Sequence, residues 1–205
     1  AACAQANLDL GKLEPKLAEA IIAASTEVAA GKHDAHFPVD IYQTGSGTST
    51  NMNANEVIAN LANRELDNAA GHPNEHVNMG QSSNDTAMHI ASALEVKNRL
   101  KPAAEKLLAE LESKSKAWDE IVKVGRTHLM DATPIRVGQV FSGYAQQARH
   151  ALELAGCVEN YLAIAMPIGG TAVGTGINTH PEFGERVCDI LAKATGGDFQ
   201  EAANH

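Results

Sequence analysis

From about Gly138 to Ala165 the chain reads as a single helix, with Phe141, Tyr144, Ala148, Ala151, Leu152, Ala155, Val158 and Leu162 spread around a wide apolar face. At ~1.5 Å per residue such a helix would reach about 40 Å. The chain has 205 residues, 44% of them hydrophobic, and so short a chain cannot cover a face that long and that rich in small residues. The helix is therefore expected to pack against other subunits. Length and hydrophobic content otherwise set one sizeable core, and one domain, as the default.

Helices dominate elsewhere. Leu13, Leu17, Ala20 and Ile21, and again Val57, Ile58 and Leu61, recur at helical spacing. A helix is predicted from Ala87 to about Leu100, and Pro102 opens the next. Proline is tolerated in a first turn but costs ~3 kcal/mol or more inside a helix. That second helix carries Leu107, Leu108, Leu111 and Trp118. The strand-like stretch of note is Val39-Asp40-Ile41-Tyr42, too short to build a sheet by itself.

A formal net charge of -9, with 16 scattered Lys and Arg, argues against nucleic acid, because phosphate binding needs clustered cations. No run of ~18 apolar residues suggests a membrane span, and Ala1 to Asp9 lacks the basic start and apolar stretch of a signal peptide. A soluble protein is expected. Cys3, Cys157 and Cys188 are odd in number, widely spaced and outside any Cys-x-x-Cys pair, so they read as reduced core thiols in a cytosolic-type compartment. The chain opens at Ala1 in what reads as mid-helix and stops at Ala203-Asn204-His205 without a closing signal, as expected of a fragment.

Three short polar segments interrupt the helices. Thr44-Gly45-Ser46-Gly47-Thr48 precedes a helix whose first turns carry Asn51, Asn53 and Asn55. Asparagine is a poor helix interior residue because its side chain competes for backbone hydrogen bonds. Three so close together need a reason. Either hydroxyls and backbone N–H groups hold a carboxylate or phosphate at the helix start, or the segment is a capped turn, which uses the same residue types. Gln81-Ser82-Ser83-Asn84-Asp85 has the same design, with Asn84 or Asp85 as the N-cap of the next helix. Two such helix starts suit a small molecule with two carboxylates.

The third segment, Gly125-Arg126-Thr127-His128-Leu129-Met130-Asp131, sits between helices, with Thr133-Pro134 blocking helix continuation after it. His128 beside a hydroxyl is a general acid/base candidate, since imidazole accepts and returns protons near neutrality. Taken alone, a histidine is more often structural. His72-Pro73-Asn74-Glu75-His76 offers two imidazoles and a carboxylate, but Pro73 keeps His72 off a helix and no third ligand stands at metal spacing. Gly45-Ser46-Gly47 fails as a dinucleotide fingerprint, because Thr50 stands where the third glycine belongs and the downstream chain is helical.

In their order, these segments resemble the class II, iron-independent fumarases of the fumarase and aspartase superfamily. The match runs through Phe37-Pro38, Thr44 to Thr48, Asn51-Met52-Asn53, His72-Pro73-Asn74, Gln81 to Asp85, Gly125 to Asp131 and Gly169-Gly170-Thr171-Ala172-Val173-Gly174-Thr175-Gly176. The resemblance implies an all-α, long-helix bundle with a mostly helical N-terminal portion. Residues 1–85 would be part of the N-terminal domain and 86–205 part of the central helical bundle, the C-terminal part lying outside this chain. It implies reversible hydration of fumarate to (S)-malate without metal or organic cofactor. Ser46, Gly47 and Thr48 would hold a substrate carboxylate, Ser82, Ser83 and Asn84 would bind the substrate from a second chain, and Thr127 and His128 from another. Each site would be built by three subunits of a homotetramer. His128 would act in the proton relay, and His72, Pro73, Asn74 and Glu75 would form a second, non-catalytic dicarboxylate site.

The resemblance also separates sister enzymes. Aspartases usually show Gln where His128 stands and Ser-Thr where Ser82-Ser83 stand, so both positions favour fumarase over aspartate ammonia-lyase-like deamination. A non-catalytic helical assembly module is the reading from a different class. Family members carry a few more residues, including a proline, between Asp85 and Thr86, and Glu75 replaces a usual aspartate. The serine base of the family's third signature would lie beyond His205, so a polypeptide ending there is expected to be inactive alone. A cytoplasmic location is expected, with the mitochondrial matrix as the alternative.

Overall fold

The computed structural model describes residues 1–40, 42–43, 46–68, 70–83 and 87–205, with Ala87 and Met88 described by backbone alone. Seven α-helices are described: α1 Ala2–Asp9, α2 Pro15–Ala29, α3 Thr48–Glu65, α4 Ala87–Glu95, α5 Lys101–Ala117, α6 Val137–Ile164 and α7 Phe183–Thr195. Two strands, β1 Val122–Thr127 and β2 Met130–Arg136, pair antiparallel between α5 and α6. The chain divides into two compact units, residues 1–91 with 162–205, and residues 92–161.

In the first unit, α2 begins at Pro15 because Glu14, in extended conformation, accepts a hydrogen bond from the Leu17 N–H at 2.9 Å. Proline in the first turn loses no intrahelical bond. One face of α2 buries Leu17, Ala18 and Ile21 against Ala59 and Ala62 of α3 and against Val77. The alanines let the two backbones approach, and full burial of Ile21 stabilises the unit by about 1.5–3 kcal/mol. α1 lies against α2 and α7, and α7 buries Phe183, Val187 and Cys188. The chain after α7 returns to the end of α6. Gln200 N–H donates to Ala163 O at 2.9 Å, Met166 N–H to Gln200 O at 2.9 Å, and Ala202 N–H to Met166 O at 2.8 Å.

The second unit is a helical pair joined by the hairpin. Trp118 meets Phe141 edge-on at 4.8 Å, Phe141 meets Tyr144 at 5.7 Å, and Lys101 Nζ pairs with Glu159 Oε2 at 2.7 Å. Among the described residues the buried apolar side chains of this unit are only Ala93 and Ala145, while Leu107, Leu154, Val158 and Tyr161 are exposed. The long helix spans Val137–Ile164, one residue from its expected bounds at each end.

Three local expectations change. Val39 and Asp40 form no strand, and Ile41 lies outside the described residues. The strands occur instead where Val122, Val124, Thr127, Thr133 and Ile135 supply β-branched side chains. The predicted helix from Ala87 to Leu100 is α-helical only to Glu95 and closes in a π-turn over Val96–Leu100, with Pro102 in the first turn of α5 as expected. Cys3 and Cys188 are buried, but Cys157 is exposed, because it sits on the α6 surface that this chain leaves uncovered.

Burial pushes the Cys188 thiol up to about 12, helped by the negative charges of Glu201 and Asp189 and by Cys3. Iodoacetamide near neutral pH is therefore expected to spare Cys188 in the folded protein and to label it after denaturation, read by peptide mass spectrometry. Gly80 has φ +74°, and a Cβ there would lie 2.9 Å from both Phe183 and the Thr179 hydroxyl, whereas Gly11 at φ +66° faces open space. Gly11→Ala should cost about 1–2 kcal/mol for its left-handed backbone, and Gly80→Ala measurably more. Equal losses in urea denaturation would contradict the close contact.

Candidate functional site

α3 starts at Thr48 with Gly47 as its N-cap at φ +77°, a conformation that suits glycine, and no side chain caps the helix. Ser46 Oγ and Thr48 Oγ1 share a hydrogen bond at 3.1 Å, and Thr48 Oγ1 and Ser83 Oγ share another at 3.0 Å. Two segments far apart in sequence but within one chain thus place three hydroxyls beside the uncapped start of α3, which corrects the expectation that Ser83 joins Ser46 and Thr48 from a second chain. Such hydroxyls can each turn a proton toward a carboxylate, and a helix start favours that charge. Thr44, Gly45, Asn84 and Asp85 lie outside the described residues, so the N-cap role expected of Asn84 or Asp85 does too.

The asparagines of α3 have an explicit task. Asn51 Nδ2 and Asn55 Nδ2 both donate to Asn78 Oδ1, at 3.2 and 3.0 Å, and Asn53 Nδ2 donates to His36 O at 2.9 Å. Asn63 holds Gly71 reciprocally, accepting from its N–H at 2.6 Å and donating to its carbonyl at 2.9 Å. In place of competing with its own helix, α3 uses these amides to tie down the loops around it. Asn7, itself buried, adds a bond from Nδ2 to Met79 O at 3.1 Å.

A cleft of about 760 Å3 opens at this place, lined by Thr48, Asn51, Asn78, Ser82 and Ser83. Asn74 and Glu75 of the expected second site line the same cleft. His72 faces its own backbone: Nδ1 accepts from the N–H groups of Asn74 at 3.3 Å and Glu75 at 3.2 Å, capping a π-turn over Pro73–Val77. No group of three His, Cys, Asp or Glu side chains placed to hold a metal ion occurs among the described residues.

Lys12, Thr171, Asn178, Thr179 and His180 also line the cleft, and residue-by-residue reading assigned none of them. The segment from Gly169 to Asn178 has positive φ at Gly169, Thr171, Gly174, Gly176 and Asn178. A β-branched residue such as Thr171 rarely adopts that conformation. The density of glycine beside Thr, Asn and His was the available signal.

Thr127 and His128 belong to the second unit. Thr127 pairs with Met130, leaving His128 and Leu129 as a two-residue loop at φ +49° and +64°. Positive φ at both loop positions matches the twist of hairpin strands but is usually left to Asn and Gly. The segment expected to lie between helices does so, and its form there is a hairpin, which the sequence reading did not anticipate. The register shifts between Val124 and Arg126, where a Cβ on Gly125 would lie 2.6 Å from Thr133 O. Arg126 Nε and Asp131 Oδ1 pair at 3.3 Å across the strands. Thr127 and His128 are both exposed.

If His72 is chiefly a cap, His72→Ala should destabilise the fold by ~1 kcal/mol, in the range of other lost helix caps. A chemical denaturation midpoint unchanged from the parent would show that the two bonds to its ring contribute nothing.

Comparison with known proteins agrees in direction. A family model described as Lyase matches residues 1–205. The chain is 54% identical to the class II fumarate hydratase of Halobacterium salinarum, over 100% of this chain and 45% of that protein. It is 54% identical to the class II fumarate hydratase of Thermus aquaticus, over 99% of this chain and 45% of that protein. The crystal structure of the class II fumarase from Schistosoma mansoni superposes with a TM-score of 0.90 at 38% identity, over 99% of this chain and 47% of that one. The chain spans about half the length of the curated relatives it matches.

Proposed function

Because the chain belongs to the lyase family, matched over residues 1–205, we propose that it is part of a class II fumarate hydratase, which adds water reversibly to fumarate to give (S)-malate. The observation that carries this reading is the hydroxyl cluster of Ser46, Thr48 and Ser83 at the uncapped start of α3. Removal of the C3 proton of malate leaves a carbanion whose charge flows onto the neighbouring carboxylate. Donors already aimed at that carboxylate stabilise the charge as it grows, without reorganising. A carboxylate of fumarate or malate offers the acceptor oxygens that such hydroxyl donors need.

In this proposal Ser46, Gly47, Thr48, Ser82, Ser83, Asn84 and Thr127 bind the dicarboxylate, and His128 relays a proton, directly or through a water. Thr127 and His128 come from another copy of the chain, in a homotetramer. The apolar residues that the second unit leaves exposed support assembly, since Leu154, Val158 and Tyr161 need a covering surface. His72, Pro73, Asn74 and Glu75 are retained as a second dicarboxylate site. Residues 1–85 and 86–205 are assigned to an N-terminal and a central helical domain. A cytoplasmic location is part of the proposal. Among the described residues no helix is long and apolar enough to cross a membrane.

Proton NMR of the complete gene product with fumarate and ammonium in deuterated water tests the reading. Malate carrying stereospecific deuterium at C3 is expected. Aspartate would assign the deamination chemistry instead, and no product from a folded assembly would overturn the proposal. His128→Gln should cut hydration by ~100-fold or more if His128 is in the proton relay; unchanged turnover would remove it from that role.

A further inference from the structure

We propose that Asn78 is a positioning residue for the dicarboxylate site, holding the segment that carries Ser83 against Thr48. The proposal rests on the fumarate hydratase reading above. Ser83 is five residues beyond Asn78, and an unanchored stretch of that length can span up to ~16 Å, far more than the 3.0 Å that separates the Ser83 and Thr48 hydroxyls. Something must restrict it.

Asn78 is where the restriction converges. Its Oδ1 accepts from Asn51 and Asn55 of α3, the helix that presents Thr48, and its Nδ2 donates to Gln81 O at 3.3 Å. Its backbone carbonyl accepts from Gln81 N–H at 3.0 Å, and its own N–H donates to Pro73 O at 3.0 Å. Gln81 Nε2 reaches back to Val77 O at 2.8 Å. The side chain thus ties the start of α3 to the turn that launches Ser82 and Ser83.

The chemistry asks for an amide. Only a group with both an acceptor oxygen and a donor nitrogen makes all three side-chain bonds. Aspartate would keep the acceptor, lose the bond to Gln81 and put a negative charge on a cleft meant for a dianion. Leucine would leave the amide of Asn55, a residue only 4% exposed, without its acceptor. Asn78 itself lines the cleft beside Ser83, but its oxygen and nitrogen are directed to protein groups, so its effect on substrate runs through Ser83.

A double-mutant cycle in the complete protein tests this. Asn78→Ala and Ser83→Ala are each expected to lower kcat/KM for fumarate by roughly 30-fold, and the double variant should fall no more than about threefold below the weaker single one. A purely structural role would instead give losses that multiply, and that result overturns the proposal. Hydrogen exchange read by mass spectrometry supplies a second measure that needs no turnover. The amides of residues 79–83 should exchange about tenfold faster in Asn78→Ala while α2 and α3 keep their protection; unchanged exchange also overturns it. Should Asn78→Ala fail to fold, Asn51→Ala removes one of the two donors from a partly exposed position, and the same coupling and exchange are expected at reduced size. A parent protein that exchanges as described yet turns over no fumarate would sink the fumarate hydratase reading while leaving the tether itself measurable.

Discussion

The amide oxygen of Asn78 takes two side-chain donors from the early turns of α3, and the geometry of the hydroxyl cleft follows from that arrangement. A hydrogen bond between neutral groups contributes only ~1 kcal/mol net, but a buried donor left without its acceptor costs about 1–3 kcal/mol. The asymmetry explains why amides can specify a loop conformation that apolar contacts could not. Leu17, Ala18 and Ile21 against Ala59 and Ala62 decide that α2 and α3 pack. Asn51, Asn55, Asn63 and Asn7 decide where the loops beside them run.

The two units meet different physical demands. The first has a core, with Phe183, Met166, Ile168 and Val187 fully enclosed and the chain after α7 hydrogen-bonded back to the end of α6. The second, as a single chain, exposes Leu107, Leu154 and Tyr161 and holds its helices together with Trp118, Phe141, the Lys101–Glu159 pair and the Arg149–Glu112 pair. A helical pair so thinly cored gains most of its stability from what packs on it. The same unit presents His128 on a tight hairpin turn, so the element that needs a partner is also the one that carries the proton-relay candidate.

Much of the helical order was legible, because apolar periodicity in α2, α3 and α6 is a local signal; burial follows it in α2, where Leu17, Ala20 and Ile21 are enclosed, whereas in α6 Tyr144, Ala151 and Val158 of the predicted apolar face stay exposed in the single chain. The puzzle posed by Asn51, Asn53 and Asn55 was legible too, though its answer was not, since Asn78 and His36 are distant in sequence. The hairpin escaped because its two-residue turn uses His128 and Leu129 at positive φ, where asparagine and glycine would have announced it. Cys157 read as core from cysteine number and spacing, which carry no information on burial, and sequence alone does not say which chain covers which face of α6. The cleft wall at Thr171, Asn178 and His180 was hidden for a related reason: a glycine-rich run signals an unusual backbone path but not what it faces.

A crystal structure of the complete protein with succinate, an unreactive dicarboxylate, tests the account most directly. One carboxylate is expected within hydrogen-bond distance of the Thr48 and Ser83 hydroxyls at the start of α3, with Thr127 and His128 of a neighbouring copy facing the same molecule. Succinate bound elsewhere, with Thr48 and Ser83 still bonded only to each other, would contradict it.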